Sequence, residues 1–549
     1  RISAMDGALG VAMIRHIVLA AALGALLAWA DPSFATAFLT EVVDPSPGAS
    51  GTSLDLDAQG RPHITYSLGT SLRHTFKSSG GWVSETVPGV AYAGRRSLAI
   101  GPTGEPIVSY WSPSGSLNLA IKSGGTWSSQ VVHMFGGAGD ALTLDAAGNP
   151  HIVSYLGSGS LVHSYRSGGA WVNQVITSTG GQPPLDMCIL IDSQARPHIA
   201  AEQFYGRQVF HSYEGDDAWV KEVIDETPAG AQPMHSVSLA LDSLDQPIVA
   251  FTDASNSLEF ARKTAAGWSL EAVPGTTFGQ YTNLALGAQG APHIMYSDGS
   301  LRYVTRPGSE WVVETVADGG SGACMKLDAS GVPHVAYSGS RGIQYSHAIQ
   351  CNLVFGPNTV NPQLHGTWIT AYLESADFAI ASVDPATIRL ERAVACEPKF
   401  ATIGDHDADG VPDLMVKFRT DDVRPLLASG PASLAMTGRL ATGEEFKVDG
   451  AIRLVDAPIA AAGLSLRILS APGASQVEYV LESPQGRSAR LQVFDVRGRR
   501  VRSWDDTPSQ AVHGWDGRSS EGSRVGSGVY FLLAEADGQR VSKRLVVSR

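Results

Sequence analysis

Apolar and polar side chains alternate through Leu54-Asp-Leu-Asp57, break at Ala58-Gln-Gly-Arg61, and resume as Pro62-His-Ile-Thr-Tyr66. A period of two interrupted by a Gly- and Pro-bearing turn predicts two short antiparallel strands. The run returns six more times before residue 340, around turns of the general form Asp-x-x-Gly-x-Pro that end on Pro62, Pro106, Pro150, Pro197, Pro247, Pro292 and Pro333. Their spacings of 44, 44, 47, 50, 45 and 41 residues predict units of four short strands, the period of a propeller blade.

Each unit continues into a third strand, a Gly/Ser-rich hairpin and a fourth strand opening on Trp82, Trp127, Trp171, Trp219, Trp268 or Trp311. Glu85, Gln130, Gln174, Glu222, Glu271 and Glu314 follow three residues later. Seven turn prolines against six tryptophans leave one unit a strand short. Phe38-Leu-Thr-Glu41 fits the missing place, because Glu41 precedes Pro62 by the same 21 residues that separate Glu85 from Pro106. The expectation is a seven-bladed β-propeller over residues 36–350, with residues 36–44 closing the last blade and so removing open sheet edges. The tryptophans read as packing between blades. His63, His151, His198, His293 and His334 follow the turn proline in five units, and Ile107 and Ile248 replace them in two; that exchange marks a half-buried structural position. The Pro-His-Ile-x-Tyr units resemble those of secreted bacterial propellers.

Residues 351–458 lose the repeat but keep alternating strands, such as Thr367-Trp-Ile-Thr-Ala-Tyr-Leu373, and predict an immunoglobulin-like sandwich. Within it lies Asp405-His-Asp407-Ala-Asp409-Gly410-Val-Pro-Asp413. Oxygen donors at places one, three, five and nine, with glycine at six for a sharp bend, suit a structural Ca2+. Asp405, Asp407 and Asp409 would offer side chains, Val411 its carbonyl, and Asp413 a direct or water-mediated contact. The loop resembles dockerin and thrombospondin-type calcium repeats. Val416 stands where an EF-hand has its bidentate glutamate, so the site needs an acid from elsewhere or binds weakly.

Residues 459–549 predict a third β unit. Val493-x-Asp495-x-x-Gly498-Arg-x-Val501, Trp515-Asp-Gly-Arg518 and Ser527-Gly-Val-Tyr-Phe531 resemble the immunoglobulin-like domain of flagellar hook-capping proteins and the C-terminal sorting domains of type IX secretion. That resemblance implies a partner in the secretion machinery and attachment at the surface. The whole chain thus reads as all-β, a seven-bladed propeller followed by two immunoglobulin-like sandwiches.

A formal charge of -13, without a basic stripe, argues against a nucleic-acid partner. Met13-Ile-Arg-His16, the apolar run from Ile17 to Ala30 and small residues at Ser33 and Ala35 predict a secretory signal over residues 1–35, with residues 1–12 upstream of the start and no transmembrane span after cleavage. The expected location is secreted or the outer cell surface. In that oxidising setting Cys351 and Cys396 have a spacing compatible with a disulfide, whereas Cys188 and Cys324 share a small-residue position of the repeat.

The shared residues explain the scaffold, so recognition is sought where the units differ. Loops joining one blade to the next, and the second strand to the third, contain Tyr92, Arg95, Arg96, Trp111, Tyr205, Arg207, His235 and Tyr281, with Phe135 and Phe278 nearby. Aromatics beside arginines suit a carbohydrate or protein ligand. The expected function is noncatalytic binding or adhesion; the alternative is an extracellular polysaccharide hydrolase or lyase. Sialidases are set aside, since neither their Ser-x-Asp-x-Gly-x-x-Trp turn nor their Phe/Tyr-Arg-Ile-Pro signature occurs. No residue pair stands out as catalytic.

Overall fold

The computed structural model describes residues 36–549 except 89, 91–95, 135–136, 158, 179–185, 204–207, 227–235, 277–278, 358, 361–365, 408, 428–429, 455–464, 469–476, 483–488, 507–512, 537–538 and 548–549. The signal expected over residues 1–35 lies outside them. Among the described residues no helix is long and apolar enough to cross a membrane.

The repeat folds as successive four-stranded antiparallel sheets over 49–86, 96–133, 137–178, 187–226, 237–272 and 280–317. Strand order within each follows the chain, as in a β-propeller. The turns explain the motif. Asp57 Oδ1 accepts from the amides of Gln59 and Arg61, both at 2.9 Å, while Gly60 turns back at φ +74°, a conformation glycine reaches without a Cβ clash. Asp145, Asp192, Asp242 and Asp328 repeat these two bonds. The strand after the turn, Pro62–Leu68, is buried on both faces, whereas the outer strand Gly81–Thr86 is largely exposed. Even the polar members of the strand after the turn, His63, Thr65 and Ser67, are buried.

Ser321–Leu327, Pro333–Gly339 and Gly342–Ile349 make three strands of a further set. Its fourth is Ala37–Asp44, paired antiparallel with Gly342–Ile349 through Phe38↔Ala348 and Thr40↔Ser346. One apolar cluster joins Leu54, Ile64 and Tyr66 of the first sheet to Ala336, Ile343 and Tyr345 of this last one. Burial of each such side chain contributes about 1.5–3 kcal/mol, so the meeting of first and last sheets is a major part of the core.

The sheet does not stop at Ala37–Asp44. The other edge of that strand pairs with Glu445–Leu454 through Leu39↔Phe446, and Gly430–Leu440, Val383–Leu390 and Val394–Ala395 follow. A second sheet, Cys351–Gly356, Trp368–Ser375, Asp413–Arg419 and Thr402–Gly404, packs close to it: a Cβ on Gly450 would lie 2.8 Å from Leu353 and Phe355. The propeller and the middle region are therefore one compact unit through Arg453, with a shared sheet bridging the boundary expected at residue 350.

The anticipated disulfide does not form. Cys351 and Cys396 are both free. Cys351 pairs with Ser375 in one sheet, while buried Cys396 donates to the Pro385 carbonyl at 3.1 Å beside the other.

The second unit contains Leu454–Arg549. Ser465–Ile468, Val477–Glu482 and His513–Trp515 form one sheet, and Arg500–Asp506, Ala489–Asp495, Gly528–Ala536 and Gln539–Val547 the other. Their inner faces meet in one core around Tyr479, Leu491, Trp515 and Leu532, a two-layer β arrangement. Asp495 builds the same turn as Asp57, accepting from the amides of Arg497 and Arg499.

Candidate functional site

Polar residues common to the repeat bond to one another. In the first sheet His63 Nδ1 lies 3.1 Å from His74 Nε2, and His74 Nδ1 lies 2.8 Å from Glu85 Oε1. Lys122 of the second sheet donates to both Glu85 oxygens at 2.7 and 2.6 Å. His151 and His163, and His198 and His211, repeat the ring-to-ring contact at 3.0 Å. Tyr303 and Tyr345 take the second position opposite His293 and His334. Burial pushes His63 down to about 4. Burial would raise the Glu85 carboxyl, but hydrogen bonds from His74 and Lys122 outweigh it and hold the group at about 2. Through Lys122 the chain of the first sheet is tied to the second. The second histidine, 11 to 13 residues after the first, was the sequence signal for the ring-to-ring contacts.

The acidic loop links the strands Thr402–Gly404 and Asp413–Arg419, which pair as Gly404↔Asp413. Carboxylate oxygens of Asp405, Asp407 and Asp413 lie within 4.8 Å of one another, as do those of Glu374, Asp407 and Asp409. Backbone amides shape the loop: Asp409 and Gly410 donate to Asp405, Val411 to Asp409 at 2.8 Å, and His406 to buried Asp413 at 2.8 Å. Gly410 stands at φ +93°, which meets the need for glycine at the sixth place. The His406 ring stacks on Tyr372 with centroids 3.6 Å apart. Partial burial, then the charges of Asp409, Asp413, Asp407 and Asp405, raise the Glu374 carboxyl. Glu374 is an acid from outside the loop that lies within reach of it. It is the penultimate residue of the strand Trp368–Ser375, which pairs with Asp413–Arg419 through Leu373↔Leu414; that register brings it near the loop.

Of the proposed ligand contacts, Tyr92, Arg95, Tyr205, Arg207 and His235, with Phe135 and Phe278, lie outside the described residues. Arg96 opens the strand Arg96–Ile100. Trp111, expected at an accessible loop, is 5% exposed. It ends a fully buried strand, its ring meets His133 at 5.6 Å, and its Nε1 donates to the Gly139 carbonyl at 3.3 Å; packing between the second and third sheets consumes it.

Tyr281 differs. It is 43% exposed and held at φ +55°. Eleven residues before the turn proline, Gly51, Gly139 and Gly322 stand at φ +57°, +78° and +58° in bulges of the same strand. Tyr281 occupies that glycine place, where an L side chain costs roughly 1–2 kcal/mol. The bend is held from behind: Asn283 Nδ2 donates to the Tyr281 carbonyl at 2.9 Å, and the Thr282 amide to Ser236 Oγ at 2.6 Å.

No family model matches the chain, and no curated protein matches it. Solved structures similar to it include AofleA from Arthrobotrys oligospora, 13% identical, with 49% of this chain and 87% of that chain covered and a TM-score of 0.36. The fungal lectin from Aleuria aurantia, described as a six-bladed β-propeller with a novel fucose recognition mode, is 13% identical over 49% of this chain and 96% of its own, with a TM-score of 0.36. YCF48 bound to a D1 peptide is 12% identical, covering 56% and 94%, with a TM-score of 0.40.

Proposed function

We propose that this is an exported binding or adhesion protein whose propeller, a seven-bladed ring closed by its own N-terminal strand, presents a recognition face for a carbohydrate or protein ligand. The carrying observation is Tyr281, an exposed aromatic kept at a strained backbone position that three other blades give to glycine. Strained backbone clusters at ligand contacts, and in this reading the strain at Tyr281 is retained for its exposed ring. In this reading the histidine chains are scaffold, Ca2+ held by Asp405, Asp407, Asp409, Val411 and Asp413 with Glu374 stiffens the adjoining immunoglobulin-like domain, and the terminal immunoglobulin-like domain serves sorting and surface attachment.

The test is capture of intact ligand from glycan and protein arrays by the full chain and by Tyr281→Gly. The variant should melt no lower than the parent while capture weakens about tenfold, the effect of losing one contact worth ~1.4 kcal/mol. Undiminished capture removes Tyr281 from the site. Shortened or unsaturated saccharide products would replace the binding reading with the hydrolase or lyase one.

A further inference from the structure

A cavity of about 320 Å³ opens beside the shared sheet, between the turn after Val312–Ala317, the hairpin at Arg341 and the strands of the middle region. Its wall carries Arg341, Arg392, Arg439 and Lys447 against Asp318 and Glu445, a balance of +2 in a chain whose total is -13. Counting Asp449, which pairs with Lys447 at 3.0 Å outside the lining, the balance is still +1.

The three arginines converge on one carboxylate. Arg341 reaches Glu445 Oε2 at 3.1 Å, whereas Arg392 and Arg439 stand 3.8 and 3.9 Å from its oxygens. The last two distances are Coulombic contacts too long for hydrogen bonds. A guanidinium presents five donors in a planar fork, and Glu445 cannot match three forks at once. Arg392 also meets Asp318 at 2.5 Å. It is carried into place by the turn Leu390–Ala393, in which the Ala393 amide donates to the Leu390 carbonyl at 2.9 Å and the central residues Glu391 and Arg392 stand at φ +46° and +56°. Primed turns of that kind favour Asn-Gly; here two long side chains accept the strained conformation. Glu391 anchors it, accepting from the Ala435 amide at 2.7 Å. Packing does not require the arrangement, since Arg392 and Arg439 are about half exposed, at 46% and 54%.

We infer that this cavity binds the oxyanion of a small ligand, a carboxylate or sulfate group of the kind carried by acidic sugars, with Arg392 and Arg439 as the principal donors and Glu445 occupying part of the ligand's place when the site is empty. The site is separate from Tyr281, and its proof or failure leaves the ring-face reading untouched. Paired guanidinium forks match planar and tetrahedral oxyanions, and the volume accommodates one sugar ring.

Calorimetric titration of the full chain with glucuronate, glucose and inorganic sulfate at low salt tests it. Glucuronate or sulfate should bind and glucose should not; stronger binding by glucuronate assigns a sugar carboxylate, and stronger binding by sulfate assigns a sulfate group. Arg392→Gln and Arg439→Gln should each weaken that binding about tenfold, as loss of one charge-assisted contact does, with unchanged far-ultraviolet circular dichroism. Glu445→Gln gives the sharper sign. Removal of the competing carboxylate should strengthen anion binding several-fold even as melting falls, whereas a purely structural ion cluster loses melting temperature and gains no affinity. Absence of binding by either anion at millimolar concentration, binding indifferent to both arginine substitutions, or no gain in Glu445→Gln overturns the inference.

Discussion

Trp82 Nε1 donates to Glu41 Oε2 at 3.0 Å across 41 residues of chain. Lys77 bonds the same oxygen and lies over the Trp82 ring. The contact ties the strand Ala37–Asp44, fourth of the last propeller set, to the first sheet. The same latch recurs as Glu222 with Lys263 and as Glu271 with Arg306 and Trp311. Glu41→Ala should therefore act as a ring-closure mutation, costing about 2 kcal/mol for the lost charged hydrogen bonds by urea denaturation. Deletion of residues 36–44 should be far worse. It strips a strand that pairs on both edges, leaving Gly342–Ile349 and Glu445–Leu454 each with one open edge and prone to association. A truncated protein that melts and elutes like the parent defeats the closure scheme.

What could be read from sequence followed periodicity. The Asp-x-x-Gly-x-Pro turn, the paired strands and the place of Glu41 all recur at fixed intervals, and each copy supports the others. Glu374 recurs nowhere; strand register brings it to the acidic loop. Trp111 looked like a loop aromatic because its burial comes from the neighbouring sheet's Gly139 carbonyl, a contact 28 residues away. The shared sheet through Leu39↔Phe446 joins segments about 400 residues apart with no common motif. Cys351 and Cys396 have a spacing compatible with a bond, but spacing carries no information about the distance between the two side chains in the fold.

Acid should loosen the ring before it loosens the rest. Burial, joined at His63, His163, His211 and His334 by a partner histidine's charge, lowers His63, His133, His211, His293 and His334 to about 4 and His163 to about 3. A lowered histidine binds fewer protons folded than unfolded, so its stabilising contribution is complete above 6.5 and drains away as pH falls toward 4. Glu259, raised to about 7 by burial and by Asp253 and Asp225, works the other way over the same range, as do Glu314 and Glu374, raised chiefly by burial, but these are three groups against six. Melting temperature should drop steadily from pH 6.5 to 4. His198→Ile, which installs the residue Ile107 and Ile248 already use at this place, should fold at pH 7 and shift the acid transition to lower pH. A flat melting profile across that interval would contradict the burial of these rings as neutral bases.

The acidic loop gives the last prediction. Without a cation, Glu374 faces Asp405, Asp407, Asp409 and Asp413, and their charges add to burial in raising its carboxyl. A raised carboxyl stabilises the fold when protonated and loses that contribution as pH rises through its folded value, so on this account the calcium-free protein should lose stability as pH rises toward neutral. A divalent cation reverses the balance by drawing the oxygens together. Millimolar Ca2+ should raise the melting temperature, in proportion to RT ln(1 + [L]/Kd), and chelation should reverse the gain. Asp407 belongs to both carboxylate triads, so Asp407→Ala should abolish the response. Glu374→Gln should raise the melting temperature in chelator, by relieving repulsion, while weakening Ca2+ binding about tenfold. Those opposite signs separate a cation site from a solvated turn: if Glu374→Gln changes neither apo melting nor calcium affinity by calorimetry, Glu374 is not the completing ligand.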